Sequence, residues 1–302
     1  MLGHIYCSLQ TTPMTDMTTG TLFIRSKQLE ETSEHISRLS VRCTLSGEQR
    51  YKVGGNDHLV RPDNYLLVNQ GQNYKTSFRS SSEQEMILVA FQPGFAESLL
   101  YSLITPADVL LENPFHTTPQ KVSFFEKTYD QDPVIANIFT YLRGLMEVDY
   151  ETRKDTDLDG LYTALLVRVL EIQRGLAKEI DKISSVKQST RVELFRRLGI
   201  ARDYMEANLH QKITLEDLAT AACLSVHHFK REFKLLYGVT PHRHLFLRRV
   251  EKARALLSRN ILKIDEVATA SGFENTSSFI RQFRRFTGHT PGELRKASSN
   301  RT

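Results

Sequence analysis

Two stretches of the sequence repeat each other: LEDLATAACLSVHHFKREFKLLYGVTP at residues 215–241 and IDEVATASGFENTSSFIRQFRRFTGHTP at residues 264–291. Ala219 pairs with Ala268 at an offset of 49 residues, and the phenylalanines, the glycine and the proline that follow pair at an offset of 50. The second turn therefore has one extra residue. A repeat of this length indicates two copies of one supersecondary unit.

Each copy has the pattern of a helix-turn-helix, in which a short helix and a turn precede a second, crossing helix. Side chains able to cap the helices stand before each apolar stripe, and they are Thr214, Ser225 and Asn275 or Thr276. Phenylalanines four residues apart predict the buried face of each second helix. They are Phe229 with Phe233 and Phe279 with Phe283.

The segment between the copies predicts a third kind of helix, from Pro241 to about Ser258. It has strong helix formers and an apolar stripe that includes Leu245, Val250 and Leu257. At roughly 1.5 Å per residue this helix is about 25 Å long. Such a spacer would set the two second helices about one DNA turn apart, roughly 34 Å, so that both could enter successive major grooves on one face of the DNA. Binding of both helices could require the DNA to bend.

Residues from about 192 to 297 resemble the DNA-binding domain of the AraC/XylS family of transcription regulators. The resemblance rests on the doubled motif and on ALLSRNILKIDEVATASGFENTSSFIRQFRRFTGHTPGELR at residues 255–295. It implies a regulator, typically an activator, with promoter double-stranded DNA and RNA polymerase as partners. It also implies a cupin-like N-terminal module that binds a small-molecule effector or forms a homodimer; no cofactor is expected.

The outward faces of the two second helices predict the DNA contacts. The residues predicted to contact bases are His227, Lys230, Arg231, Thr276, Ser277 and Arg281. Those predicted to contact phosphates are Lys234, Arg284 and Arg285. Arg231 and Arg281 are the best candidates for base recognition, because a guanidinium group bonds a guanine edge through two donors. The alternative for each basic residue is a solvated surface charge.

The charge of the chain is divided unevenly. The net charge of +5 is made of +11 from residue 187 onward, with 22 Lys and Arg against 11 Asp and Glu, and −6 before it, with 18 against 24. Such a split is expected when one part of a chain meets a polyanion. A basic helical surface facing solvent is the alternative.

The N-terminal part has the pattern of an antiparallel sheet followed by helices. Short strands separated by Gly, Asn, Asp and Pro are predicted at 36–45, 49–53, 64–70, 73–78 and 85–91. Helices are predicted at 132–148, with Asp132 as cap, and at 158–176. The apolar stripe predicted for the first of them is Val134, Ile138, Tyr141, Leu142 and Leu145. The fold class is therefore α+β: a β-barrel-like region at about 20–92 with helices at 94–178 in a domain of residues 1–183, a linker at 184–190, and an all-α domain at 191–302.

Other features limit the function. No membrane-length apolar stretch and no secretory signal pattern is found, which favours a cytoplasmic protein. Cys7, Cys43 and Cys223 are far apart and are expected to fill core space, and His58 and the pair His227–His228 lack a ligand set, so no metal site is expected. Aromatic residues that could line a ligand cavity, or simply fill the core, are Tyr51, Tyr65, Tyr74 and Phe78.

Two other classes of protein compete with a sequence-specific regulator. One is an enzyme, either a cupin-type metalloenzyme or a DNA-alkylation repair protein with a fused DNA-binding domain, and both need ligands or nucleophiles that three scattered cysteines do not supply. The other is an architectural protein that bends DNA without sequence preference. The ratio of specific to non-specific binding separates the two DNA-binding alternatives.

Overall fold

The structure, a computed structural model, describes residues 5–9, 19–26, 30–31, 34–78, 84–106, 108–109, 122–148, 156–183 and 187–299. The chain divides into an N-terminal unit, Met1–Glu179, and a C-terminal unit, Ile180–Thr302. A helix begins at Gln188, inside the predicted linker. Within the described ranges, no helix combines the length and the apolar character needed to span a bilayer.

The N-terminal unit contains the predicted antiparallel strands and several that the pattern did not show. The strands are β1 Ile5–Leu9, β2 Gly20–Ser26, β3 Glu30–Glu31, β4 His35–Ile36, β5 Ser40–Ser46, β6 Gln49–Val53, β7 Asn56–Val60, β8 Asn64–Val68, β9 Asn73–Phe78, β10 Gln84–Ala90 and β11 Thr128–Asp130. Gly54 and Gly55 form the tight turn between β6 and β7, both with positive φ. Asn56 and Asp57 follow this turn directly and begin β7.

The described strands form two sheets and no closed barrel. One sheet has the order β1-β2-β10-β5-β8-β11, and the other has the order β3-β9-β6-β7 with β4 paired to β9. Val53 and Val60 of the second sheet pack against Leu66 and Val68 of the first. The two sheets thus meet through buried side chains, which do not require the continuous edge-to-edge hydrogen bonding of a barrel.

Three helices of the N-terminal unit are α1 Phe95–Ile104, α2 Pro133–Glu147 and α3 Leu158–Ile180. The predicted cap of α2 is confirmed, since Asp132 accepts hydrogen bonds from the backbone nitrogens of Val134 and Ile135. The predicted apolar stripe is partly wrong: Val134 and Tyr141 are 46% and 52% exposed. The buried face turns through Ile135 and Phe139 instead, against the sheet.

The C-terminal unit is all α-helical in its described residues. Its helices are α4 Gln188–Ala207, α5 Leu215–Ala221, α6 Val226–Tyr237, α7 Pro241–Ser258, α8 Ile264–Ala270, α9 Thr276–Thr287 and α10 Pro291–Ser299. The doubled motif therefore forms two helix-turn-helix pairs, α5 with α6 and α8 with α9. Thr214 caps α5 in a capping box with Asp217, and these hydrogen bonds lower the pKa of the Asp217 carboxyl group.

Candidate nucleic-acid interface

The second helices of the two motifs, α6 and α9, are called the reading helices here. Their caps are equivalent: Ser225 accepts a hydrogen bond from the His228 nitrogen at 3.3 Å, and Asn275 from the Ser278 nitrogen at 2.7 Å. Of the two caps predicted for α9, Asn275 is the one observed. Gly238 and Gly288 end the helices in the left-handed conformation, with φ of 74° and 80°. The sequence thus fixes both reading helices to the same length.

The buried faces of the reading helices are those that the phenylalanines predicted. Phe229, Phe233, Phe279 and Phe283 are all fully buried. In α9 the pair packs against Val250, Ala253 and Leu257 of α7. The opposite faces therefore point away from the core.

These opposite faces carry the predicted DNA contacts. The exposed ones are His227, Lys230, Arg231, Lys234, Ser277, Arg281, Arg284 and Arg285, and Thr276 is half-buried at the first position of α9. On each helix the structure brings the candidates together as one polar, basic strip. On α9 this strip also lines a surface depression of about 690 Å³.

Arg231 has a neighbour that the sequence analysis missed. Its Nε and Nη2 donate to the same oxygen of Glu232, at 2.9 and 2.8 Å, and the Glu232 side chain is fully buried. His228 Nε2 lies 3.6 Å from that oxygen. The Arg231 side chain is still 55% exposed, and its Nη1 and the second Nη2 hydrogen remain for another acceptor. The sequence did contain a signal for this contact: Glu232 lies three residues after Phe229, on the face of the helix that is predicted to be buried.

The second reading helix lacks this ion pair. Gln282 stands at the position of Glu232, and its amide nitrogen donates to Ser278 Oγ at 2.7 Å. Arg281, equivalent to Arg231, makes no ion pair with any described residue. The two best base-reading candidates are therefore held differently, one against a buried carboxylate and one by its own helix alone.

The turns of the two motifs share one unusual conformation. Cys223 has φ of 50° and Gly272, at the equivalent position, has φ of 86°. Cys223 is exposed, so the expectation that it fills core space is wrong, whereas Cys43 is buried and burial raises the pKa of its thiol to about 12. The side chain of Cys7 lies outside the described residues. Cys223 is thus a turn residue with an exposed side chain and not a residue of the core.

The sequence pattern of the helix-turn-helix domain family matches residues 218–297. Several relatives also match at the sequence level. LumQ of Photobacterium leiognathi, a probable transcriptional regulator, is 34% identical over 89 residues, 30% of this chain and 36% of LumQ. YdeC of Bacillus subtilis, an HTH-type transcriptional regulator, is 23% identical over 257 residues, 84% of this chain and 82% of YdeC. AdaA of Bacillus subtilis, a bifunctional transcriptional activator and DNA repair enzyme, is 33% identical over 101 residues, 33% of this chain and 48% of AdaA.

The chain thus spans about a third of LumQ and half of AdaA. Among solved structures, the DNA-binding domain of AdpA in complex with a target DNA is 32% identical, with 35% of this chain and 95% of that chain covered and a TM-score of 0.34. ToxT from Vibrio cholerae is 13% identical, with 92% of this chain and 98% of that chain covered and a TM-score of 0.36.

Proposed function

We propose that the chain is a sequence-specific DNA-binding transcription regulator of the AraC type, because residues 218–297 match the helix-turn-helix domain family. The observation that carries the proposal is the pair of reading helices, each with buried phenylalanines on one face and exposed basic residues on the other. The net charge of +11 from residue 187 onward supports the same partner.

The proposed contacts divide into two classes. Arg281 and Arg231 read base edges in successive major grooves, with His227, Lys230, Thr276 and Ser277 beside them. Lys234, Arg284 and Arg285 bind phosphates, which supplies affinity and register but no sequence information. Because the Nε side of Arg231 is occupied by Glu232, this residue reads a base through its Nη1 and Nη2 end.

The N-terminal unit is proposed to receive a signal, through a small-molecule effector or through homodimer formation. Activation of transcription through RNA polymerase is the corresponding proposal for the output. Both follow from the family resemblance, which the helix-turn-helix match and the regulator names of the relatives support.

The competing DNA-binding function is an architectural protein without sequence preference. The deciding experiment is a selection of random-sequence duplex DNA by the full chain at fixed salt, followed by affinity measurements on the selected and on unrelated duplexes. A regulator prefers the selected duplex by about 1,000-fold or more, with affinity falling steeply with salt. An architectural protein binds both duplexes with similar affinity, and that result overturns the proposal.

A further inference from the structure

The two helix-turn-helix motifs are joined by more than the helix between them. Arg249, on α7, donates from Nε to the backbone oxygen of Leu209 at 3.0 Å and from Nη2 to the backbone oxygen of Gln211 at 2.6 Å. Leu209 and Gln211 lie just beyond the end of α4, which packs against α5 and α6 of the first motif. Arg249 therefore ties the frame of the first motif to the linker helix.

The turn of the second motif closes on the same place. A side chain at Gly272 would overlap the carbonyl oxygen of Leu209, and its Cβ would lie 2.8 Å from Arg249 Nε. We call Leu209, Gln211, Arg249 and Gly272 the intersubdomain joint. Across it, Lys212 and Glu274 lie 3.7 Å apart, but both side chains are largely exposed, so this pair adds little.

The turn of the first motif has the same conformation but leaves room for a side chain. The close approach to Leu209 is therefore particular to the second turn and is not a general feature of the helix-turn-helix motif. Cys223 has the same left-handed conformation as Gly272 but carries an exposed side chain. At the second turn a Cβ would overlap the carbonyl oxygen of Leu209, which belongs to the segment between α4 and the first motif. The glycine at 272 is thus explained by contact between the second motif and that segment.

We propose that Arg249 is a positioning residue that fixes the distance and angle between α6 and α9, and so makes the protein selective for one spacing between the two halves of its DNA site. The proposal rests on the proposed function, since it needs both reading helices to bind one duplex. Arg248 of α7 also donates to Glu206 of α4 at 2.6 Å, and His244 contacts the Phe233 ring, but neither contact reaches the second motif, so both leave the second motif free to rotate about α7. The two carbonyl bonds of Arg249 and the fit of Gly272 remove that rotation.

The test uses the full chain and the duplex that it selects from random DNA. Two base pairs inserted between the halves of that duplex rotate one half by roughly 70° about the DNA axis. The wild type is expected to bind the lengthened duplex about 10-fold or more weakly than the selected one. Arg249→Met keeps the aliphatic stem and loses both carbonyl bonds; its discrimination is expected to fall below about 3-fold, with Arg249→Lys intermediate.

Arg295→Met is the matched control, because Arg295 also donates to a backbone oxygen, that of Leu262, but this bond joins the two segments that flank the second motif and does not reach the first. It is expected to keep the wild-type spacing preference. A second measurement needs no DNA: spin labels at the exposed Thr220 and Asp265, in a cysteine-free background, report the distance between α5 and α8. Arg249→Met is expected to broaden that distance distribution, and Arg295→Met is not.

The possible outcomes distinguish a failure of the role proposed for Arg249 from a failure of the proposed function. If Arg249→Met retains the full spacing penalty, or if both variants lose it equally, the assignment of Arg249 is overturned. If the wild type selects a sequence but tolerates the insertion, the proposed spacing selectivity is overturned, whereas sequence-specific binding is supported. If the wild type selects no sequence, both the proposed function and the proposed role of Arg249 are rejected.

Discussion

At the scale of single residues, the two turns share one backbone conformation that is adopted by a cysteine in the first motif and by a glycine in the second. A non-glycine residue in the left-handed region costs about 1–2 kcal/mol, a cost that Cys223 carries and Gly272 avoids. At Gly272 a second restriction is added, because the Leu209 carbonyl occupies the place of a Cβ. The sequence repeat aligns these residues but gives no sign of that contact, which arises from chain segments far apart in sequence.

Placing an alanine at each of the two turns is therefore expected to change the free energy of unfolding by different amounts. Gly272→Ala is expected to lower the free energy of unfolding by about 2–4 kcal/mol, since strain and overlap with backbone add. Cys223→Ala, the matched control, is expected to change it by less than about 0.5 kcal/mol. Chemical denaturation of the full chain measures both. A loss at Gly272 of only about 1–2 kcal/mol, the cost of left-handed strain alone, would show that the second turn does not pack against Leu209.

Arg231 and Arg281 are also expected to differ in their effect on stability. Arg231→Ala removes a partner of the fully buried Glu232 carboxylate, and because the arginine is half exposed the loss is about 1–2 kcal/mol and not the full cost of a buried charge. Arg281→Ala removes no ion pair with a described residue and is expected to leave the melting temperature unchanged.

The control for this comparison is the double variant Arg231→Ala with Glu232→Gln, which removes the buried charge together with its partner. It is expected to recover most of the lost stability. Identical melting of the two single variants would contradict the role given to Glu232.

At the scale of elements, the sequence predicted those helices whose signals are local. Caps and phenylalanines four residues apart define α6 and α9, and both signals are confirmed. The face of α2 was partly misplaced, because it is decided by packing against the sheet and Val134 and Tyr141 are apolar on an exposed side. Glu232 was missed for the same reason: a charged residue on the inward face contradicts the apolar period that predicts burial.

The buried faces of the reading helices give a prediction at this scale. Phe229→Ala or Phe283→Ala is expected to cost about 3–5 kcal/mol, because each leaves a cavity in a fully packed core. Ile280→Ala is the control on the outer face of α9, where the side chain is 36% exposed, and it is expected to cost less than about 1 kcal/mol. Thermal and chemical denaturation provide the values, and a phenylalanine variant that melts like the wild type would show that the faces are assigned wrongly.

At the scale of the whole molecule, the charge split and the repeat describe one arrangement. The C-terminal unit holds the basic excess and both reading helices, whereas the chain before residue 187 is acidic. Composition and repeat length were sufficient to predict where the basic excess and the two helix-turn-helix motifs lie. The two-sheet arrangement of the N-terminal unit was not predictable to the same degree, because strands such as β1, β2 and β11 carry weak alternation and find their partners far along the chain.

The central claim is that two equivalent arginines read two separate grooves, and binding selection on randomised DNA tests it most directly. The full chain is compared with Arg231→Ala, Arg281→Ala and, as a phosphate-contact control, Lys234→Ala. Each arginine variant is expected to lose about 1–3 kcal/mol of binding free energy and to relax a few base pairs, with the two relaxed positions about 10 base pairs apart. Lys234→Ala is expected to weaken all sequences alike and to reduce the salt dependence by about one phosphate contact. Relaxed positions that coincide, or the absence of any relaxed position, would contradict the two-groove account.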